Sequence, residues 1–274
     1  MLDFIRSLSN HIAQLANVER VKSSDSPFLI LSVPAKNIAF HLIDFQTYKR
    51  FSAGRNCATF FGNLSNQYEQ QQKQLVHVWE DVWLSHLQLI ESRIAALLGR
   101  FVRYHARLAE VKKITNPALV DFLSKNHLQV PIAGRYKYGL FAKGELLAVA
   151  SFSAVRPMDR NGLVYNSYEL LRFANKSGAV VAGGLSRLLS RFTEEHNPDD
   201  IMTYADRDWG SGKAYRQLGF ELAGFMEPQM FALNVLTNQR QYSSYRALDS
   251  TSENYTVNIF NSGSYKYIKL LKSI

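Results

Sequence analysis

The sequence predicts an α/β (α+β) protein in which mixed sheets are flanked by helices, and three observations carry that reading. Short β-type runs bounded by turn residues alternate with stretches whose apolar residues recur every three or four positions. Between Tyr168 and Phe220 a strand, a glycine-opened helix, a second strand and an aromatic helix follow in close order. The C-terminal part is again β-rich, with runs at Met230 to Val235, Gln241 to Ala247, Thr256 to Phe260 and Tyr265 to Leu270.

The chain has 274 residues, enough for one large or two ordinary domains, and its 46% hydrophobic, 20% charged and 12% aromatic content is that of a globular protein. Cys57 is the only cysteine, which excludes an intrachain disulfide and fits a reducing compartment. No signal-peptide pattern follows Arg6, and no apolar run approaches the roughly 20 residues of a membrane span. A soluble, cytoplasmic protein without a membrane partner is expected. The net charge of +9 suits a phosphate backbone, which rewards Lys and Arg through counterion release. That charge is spread out: residues 1–115 hold 14 Lys+Arg against 9 Asp+Glu, and residues 116–274 hold 18 against 14. An ordinary basic surface explains it equally well.

Element by element, Leu2, Ile5, Leu8, Ile12 and Leu15 mark an amphipathic helix from Met1 to Ala16. Phe28 to Val33 and Asn37 to Ile43 form a hairpin across Pro34-Ala35-Lys36. Gln67 to Gln74 is helix-prone and leads into a buried strand, Leu75 to Trp79. Leu87, Ile90, Ile94 and Leu97 are the stripe of a helix that Gly99 terminates. Phe101 to Lys113 is basic and strand-like. Asn116-Pro117 reads as N-cap and first residue of a helix reaching His127. Tyr136 to Ala142 and Glu145 to Ser153 are strands joined at Lys143-Gly144, followed by a strand at 164–174.

Backbone N–H groups at a helix start attract anions, and glycine lets a phosphate approach without a Cβ in the way. Ala182-Gly183-Gly184-Leu185-Ser186 has that form, although a tight turn or close helix packing also asks for glycine. Around it, residues of about 136–235 resemble the GCN5-related N-acetyltransferase superfamily. Arg172-Phe173-Ala174 matches the family's strand end, Gly183 its first turn glycine, and Ser186 the helix beginning. The resemblance implies an acetyltransferase-like mixed sheet that binds acetyl-CoA or another acyl-CoA through Arg172, Ala174, Gly183, Gly184 and Ser186, with a small amine as acceptor. Val180 and Leu185 depart from the family's Arg/Gln and second small residue. Ala214-Tyr215-Arg216-Gln217-Leu218-Gly219-Phe220 is very like the second signature, which would make Tyr215 the general acid; packing on the sheet is its other reading. Asp206 and Glu169 are candidate bases, with an N-cap or an ion pair to Arg207 or Arg216 as the alternative for Asp206.

The N-terminal part suggests other chemistry. Two carboxylates just after a buried strand can hold Mg²⁺ beside a scissile phosphate, and Glu80-Asp81 has that placement. Leu75 to Trp83 and the helix after it resemble phage-type homing endonucleases related to the very-short-patch-repair nuclease fold. So do Asn126 to Gln129, Tyr204 to Ser211 and Asn261 to Tyr267. The resemblance implies DNA as partner and, for an active site, Mg²⁺ at Glu80 and Asp81. The family's strand acid is replaced by Ala39, which implies lost or altered cleavage. Lys49, Arg50, Arg103 and Arg107 are candidate phosphate contacts, with Phe51, Phe101 and Tyr104 interleaved. His41 and His77 read as satisfied core residues.

The expected organisation is therefore a degenerate nuclease-like α/β domain over 1–110. An acetyltransferase-like domain with a β-rich extension follows over 111–274. The expected function is acetyl-CoA-dependent N-acyl transfer, or alternatively DNA binding.

Overall fold

The computed structural model describes residues 2–160, 162–242 and 255–272. In chain order these form α1 (Leu2–Leu15), β1 (Glu19–Val21), β2 (Leu29–Val33), β3 (Ile38–Ile43), α2 (Phe45–Ser52) and α3 (Phe60–Gln70). Next come β4 (Gln74–Trp79), α4 (Glu80–Ser85), α5 (Leu87–Leu97), β5 (Val102–His105), β6 (Glu110–Lys113), α6 (Asn116–Asn126), β7 (Tyr136–Ala142) and β8 (Glu145–Phe152). The chain continues with β9 (Arg156–Arg160), β10 (Leu163–Asn175), β11 (Ala179–Ala182), α7 (Gly184–His196), β12 (Asp200–Asp206), α8 (Lys213–Gln217) and β13 (Glu221–Met226). It ends with β14 (Met230–Asn234), β15 (Gln239–Tyr242), β16 (Thr256–Phe260) and β17 (Ser264–Leu270). Of the strand expected over Gln241 to Ala247, the residues after Tyr242 lie outside the described residues.

The chain divides into two compact units, each assembled from separate stretches. The first comprises Met1–Ile90, Ala205–Gly212 and Phe225–Tyr265; the second comprises Glu91–Tyr204, Lys213–Gly224 and Lys266–Ile274. The boundary expected at residue 110 falls at the start of β6, a strand of the second unit.

In the first unit a four-stranded sheet runs β1-β2-β3-β4, with β3 and β4 parallel and the others antiparallel. Parallel pairing requires a crossover, and α2 with α3 provides it. Every residue of β3 is buried, which explains why it is apolar except at His41. The core gathers Phe28, Ile43, Tyr48, Phe61 and Trp79 with Leu233 of β14 and Ile259 of β16. The second small sheet, β15-β14-β16, thus closes a core begun some 200 residues earlier.

In the second unit the mixed sheet is ordered β13-β17-β12-β10-β8-β7-β6, with β9 paired to β10. The strands from β6 to β10 are antiparallel to their neighbours, while β10 and β12 are parallel. Lys143 and Gly144 both have positive φ, as a two-residue hairpin turn demands. On this sheet α6 packs Leu119, Phe122 and Leu123 against Val149 and Ala174. The ring of Phe192 in α7 stacks on Phe152 at 3.9 Å and 7°. The cap of α6 is Thr115, one residue earlier than expected, and its side chain accepts from Ala118 N–H. Among the described residues no helix is long and apolar enough to cross a membrane.

Candidate functional site

The second unit opens where its parallel pair parts. β10 and β12 are in register from Ser167↔Asp200 to Leu170↔Thr203 and no further, although both strands continue. At the same point the β10–β8 ladder shifts between Leu170 and Arg172, so Leu171 is the extra residue of a bulge. Bulges bend a strand and re-aim its side chains, which separates the two strands at this point.

Tyr215 projects to that opening. Its hydroxyl bonds to the Thr203 side chain, and Thr203 Oγ1 donates to Leu170 C=O at 3.0 Å. Burial raises the Tyr215 pKa above its ordinary value, and the Thr203 side chain, then the nearby charges of Arg93 and Arg172, oppose that rise. The phenol is therefore protonated at neutral pH. Its ring lies 5.6 Å from Phe220 and 5.8 Å from Tyr267, so the packing role coexists with an aimed hydroxyl.

The other expected residues divide. The guanidinium of Arg172 donates to Val130 O (3.2 Å) and Leu171 O (2.7 Å), which pins the bulge. Ala174 lies in the α6 core cluster. Gly183 caps α7 with φ +75°, where a side chain is strained, and a Cβ there would meet only Ala106 Cβ at 3.7 Å. Gly184 is needed for packing, since its Cβ would come within 3.0 Å of Val181 Cβ. Leu185 is buried, whereas Gly183 and Ser186 are exposed. No side chain caps the first turn of α7.

Glu169 is half-buried, and Arg156 holds its carboxylate at 3.2 Å. Asp206 belongs to the first unit and caps a turn, its carboxylate accepting Asp208 N–H at 2.9 Å. His127 ends α6 and is pushed down to about 4, first by burial and then by Arg93 and Arg172.

Of the basic candidates, Lys49 and Arg50 are exposed on α2 in the first unit, and Arg50 Nε donates to Gln46 O at 3.3 Å. Arg103 and Arg107 lie in the second unit. β5 pairs parallel with β11, Arg103 opposite Val180 and His105 opposite Ala182. The 106–108 turn carrying Arg107 thus lies against Gly183.

Glu80 and Asp81 are both buried at the start of α4, and three of their four carboxylate oxygens accept hydrogen bonds. Arg240 of β15 grips Asp81 twice, Nε to Oδ2 at 2.5 Å and Nη2 to Oδ1 at 2.8 Å. Glu80 Oε2 accepts Phe45 N–H at 2.8 Å, and Asp44 caps α2 through Thr47 N–H. Ala39 is in an apolar cluster with Ile30, Leu64 and Leu75. Among the described residues no group of three or more His, Cys, Asp or Glu side chains is arranged to hold a metal ion. The Mg²⁺ site expected at Glu80 and Asp81 does not fit this geometry, because a guanidinium already neutralises Asp81. Thr203 and Arg240 carry no local signal in the sequence, since Arg240 stands 159 residues from the carboxylate it holds.

No protein-family model matches the chain, and no curated protein matches it. Among solved structures it is similar to a Bacillus subtilis acetyltransferase in complex with CoA, at 17% identity over 60% of this chain and 98% of that one, with a TM-score of 0.37. It is also similar to the ribosomal-protein-S18-alanine N-acetyltransferase of Escherichia coli, at 14% identity over 61% and 96%, TM-score 0.38. A GNAT family acetyltransferase from Elizabethkingia anophelis with acetyl-CoA bound matches at 10% identity over 60% and 99%, TM-score 0.34.

Proposed function

We propose that the second unit is an acyl-CoA-dependent N-acyltransferase acting on a small amine. The observation that carries this reading is the opening between β10 and β12 with the Tyr215 hydroxyl aimed at it through Thr203. Strands that part leave backbone groups free to pair with an extended amide ligand, as a pantetheine arm is. The start of α7, with no side-chain cap and with Gly183 and Ser186 exposed, suits the pyrophosphate. Arg103 and Arg107, on the segment beside Gly183, can add countercharge there.

In the reaction the amine nitrogen attacks the thioester carbonyl carbon, the C–S bond breaks, and Tyr215 O–H protonates the departing thiolate. The proton lost by the amine passes to a base, for which Glu169 is the candidate once Arg156 releases it.

Thermal shift with acetyl-CoA tests the proposal. A ligand at a hundred times its Kd adds about 2.7 kcal/mol of stability, so acetyl-CoA at about 1 mM is expected to raise Tm by several degrees. Gly183→Val and Arg107→Glu should shrink that shift. Tyr215→Phe should keep it while lowering CoA release with an amine panel about 10²-fold or more. No shift with acetyl-CoA, together with salt-sensitive binding of duplex DNA, would instead assign Lys49, Arg50, Arg103 and Arg107 to nucleic acid.

A further inference from the structure

His41 and His77 are cross-strand partners on the parallel pair β3–β4, and both are buried. Their Nδ1 atoms lie 2.8 Å apart. On the outer sides, His41 Nε2 is 2.7 Å from Ser26 Oγ, and His77 Nε2 is 2.9 Å from Ser65 Oγ. One row of hydrogen bonds therefore crosses from the segment before β2, over two strands, to α3.

Two imidazole nitrogens sharing a hydrogen bond hold one proton between them. The neighbours fix its direction. Ser26 Oγ accepts Phe28 N–H at 3.2 Å, which leaves its own proton available to His41 Nε2 at 2.7 Å. His41 then carries its proton on Nδ1 and donates to His77 Nδ1. His77 also bonds the Phe61 carbonyl, one helical turn before Ser65, and a carbonyl only accepts. A proton on His77 Nε2, the nitrogen on the Ser65 side, serves that carbonyl and leaves Nδ1 to accept from His41. Every donor in the row points the same way, and protonating both rings would bring two N–H groups head to head.

We propose that the Ser26–His41–His77–Ser65 row is an acid-sensitive lock that ties α3 and the 26–28 segment to the β3–β4 pair in one fixed pair of tautomers. The surroundings offer little help to a positive charge. Rings of Phe28, Phe60 and Phe61 lie against His41, and Phe61 also faces His77. The charged groups of the 205–212 stretch are Asp206, whose carboxylate accepts Asp208 N–H, Arg207, whose charge opposes protonation of His77, and Asp208, whose carboxylate is bonded to Ser262 N–H. Burial, reinforced by His77, holds His41 well below its ordinary pKa, and burial pushes His77 down to about 3. In the unfolded chain each histidine titrates near 6.5. The unfolded state therefore binds protons that the folded state refuses as pH falls below about 6.5. Stability is unaffected by the pair above that pH and declines from there toward pH 3.

The test uses the full chain. Nitrogen-15 NMR of the imidazoles at pH 7 should show Nδ1–H for His41 and Nε2–H for His77, unchanged on lowering the pH to about 5. In urea unfolding, His77→Asn keeps an acceptor for His41 Nδ1–H but cannot titrate. The wild-type unfolding constant should then grow about tenfold more per pH unit below 6 than that of the variant. The opposite tautomers, an imidazolium in the folded protein at pH 5, or equal pH slopes in the two proteins would overturn the proposal. The NMR result decides the matter if the variant does not fold.

Discussion

At the scale of single residues, the clearest departure from expectation is the pair Asp81–Arg240. Asp81 is 2% exposed and held by a bidentate guanidinium that also lies 5.4 Å over the Trp79 ring. Taking away one member of a buried ion pair leaves an uncompensated charge, which costs about 3–5 kcal/mol. Arg240→Ala is expected to lose that much in urea unfolding, and adding Asp81→Asn should recover a large part of it. An Arg240→Ala protein as stable as wild type would mean that Asp81 finds another counter-charge. Glu80-Asp81 was visible in the sequence as a carboxylate pair after a strand. Whether such a pair binds metal or arginine depends on a residue far along the chain, and the spacing of the pair carries no trace of it.

At the scale of elements, legibility followed locality. The β2–β3 and β7–β8 hairpins, α5 and α7 announce themselves through turn residues and apolar period, and all are present. The β5–β11 pair joins residues about 77 positions apart and carries no turn signal between its strands, so only the fold reveals it. α3 starts at Phe60, ahead of the polar run that suggested a helix, because Phe61 and Leu64 turn into the core while the rest of the surface stays polar. The cap of α6 gives a sharp comparison between the two readings. Thr115→Ala should cost about 0.5–1 kcal/mol in thermal or urea unfolding, whereas Asn116→Ala, inside the first turn, should be close to neutral. The reverse order would restore Asn116 as the cap. The candidate site was legible in the same graded way. Tyr215 and the Gly183 turn lie in compact signatures, but Thr203, which aims the phenol, matters only because β12 comes to lie beside β10.

At the scale of the whole molecule, each unit depends on stretches distant in sequence, which sets what can fold alone. The first unit needs Ala205–Gly212 and Phe225–Tyr265 as well as its N-terminal ninety residues. Those later stretches supply specific partners: Asp208 O accepts His77 N–H at 2.9 Å, and Asn258 O accepts the buried Tyr48 hydroxyl at 2.9 Å. Tyr265 donates to Glu69, Arg207 donates to Asn66, and Leu233 with Ile259 fills the aromatic core. A fragment of residues 1–110 would lose all of these together and leave Asp81 and the core of Phe61 and Trp79 uncovered. Losses of about 1–3 kcal/mol for each orphaned buried polar group, added to the opened core, exceed the roughly 5–15 kcal/mol that holds a domain. Such a fragment is expected to show no cooperative urea transition in circular dichroism and poor amide dispersion in NMR. The full chain is expected to unfold cooperatively. A cooperative transition in the 1–110 fragment would mean that the later stretches decorate a unit already complete, and that the sequence boundary near 110 marks a true folding limit.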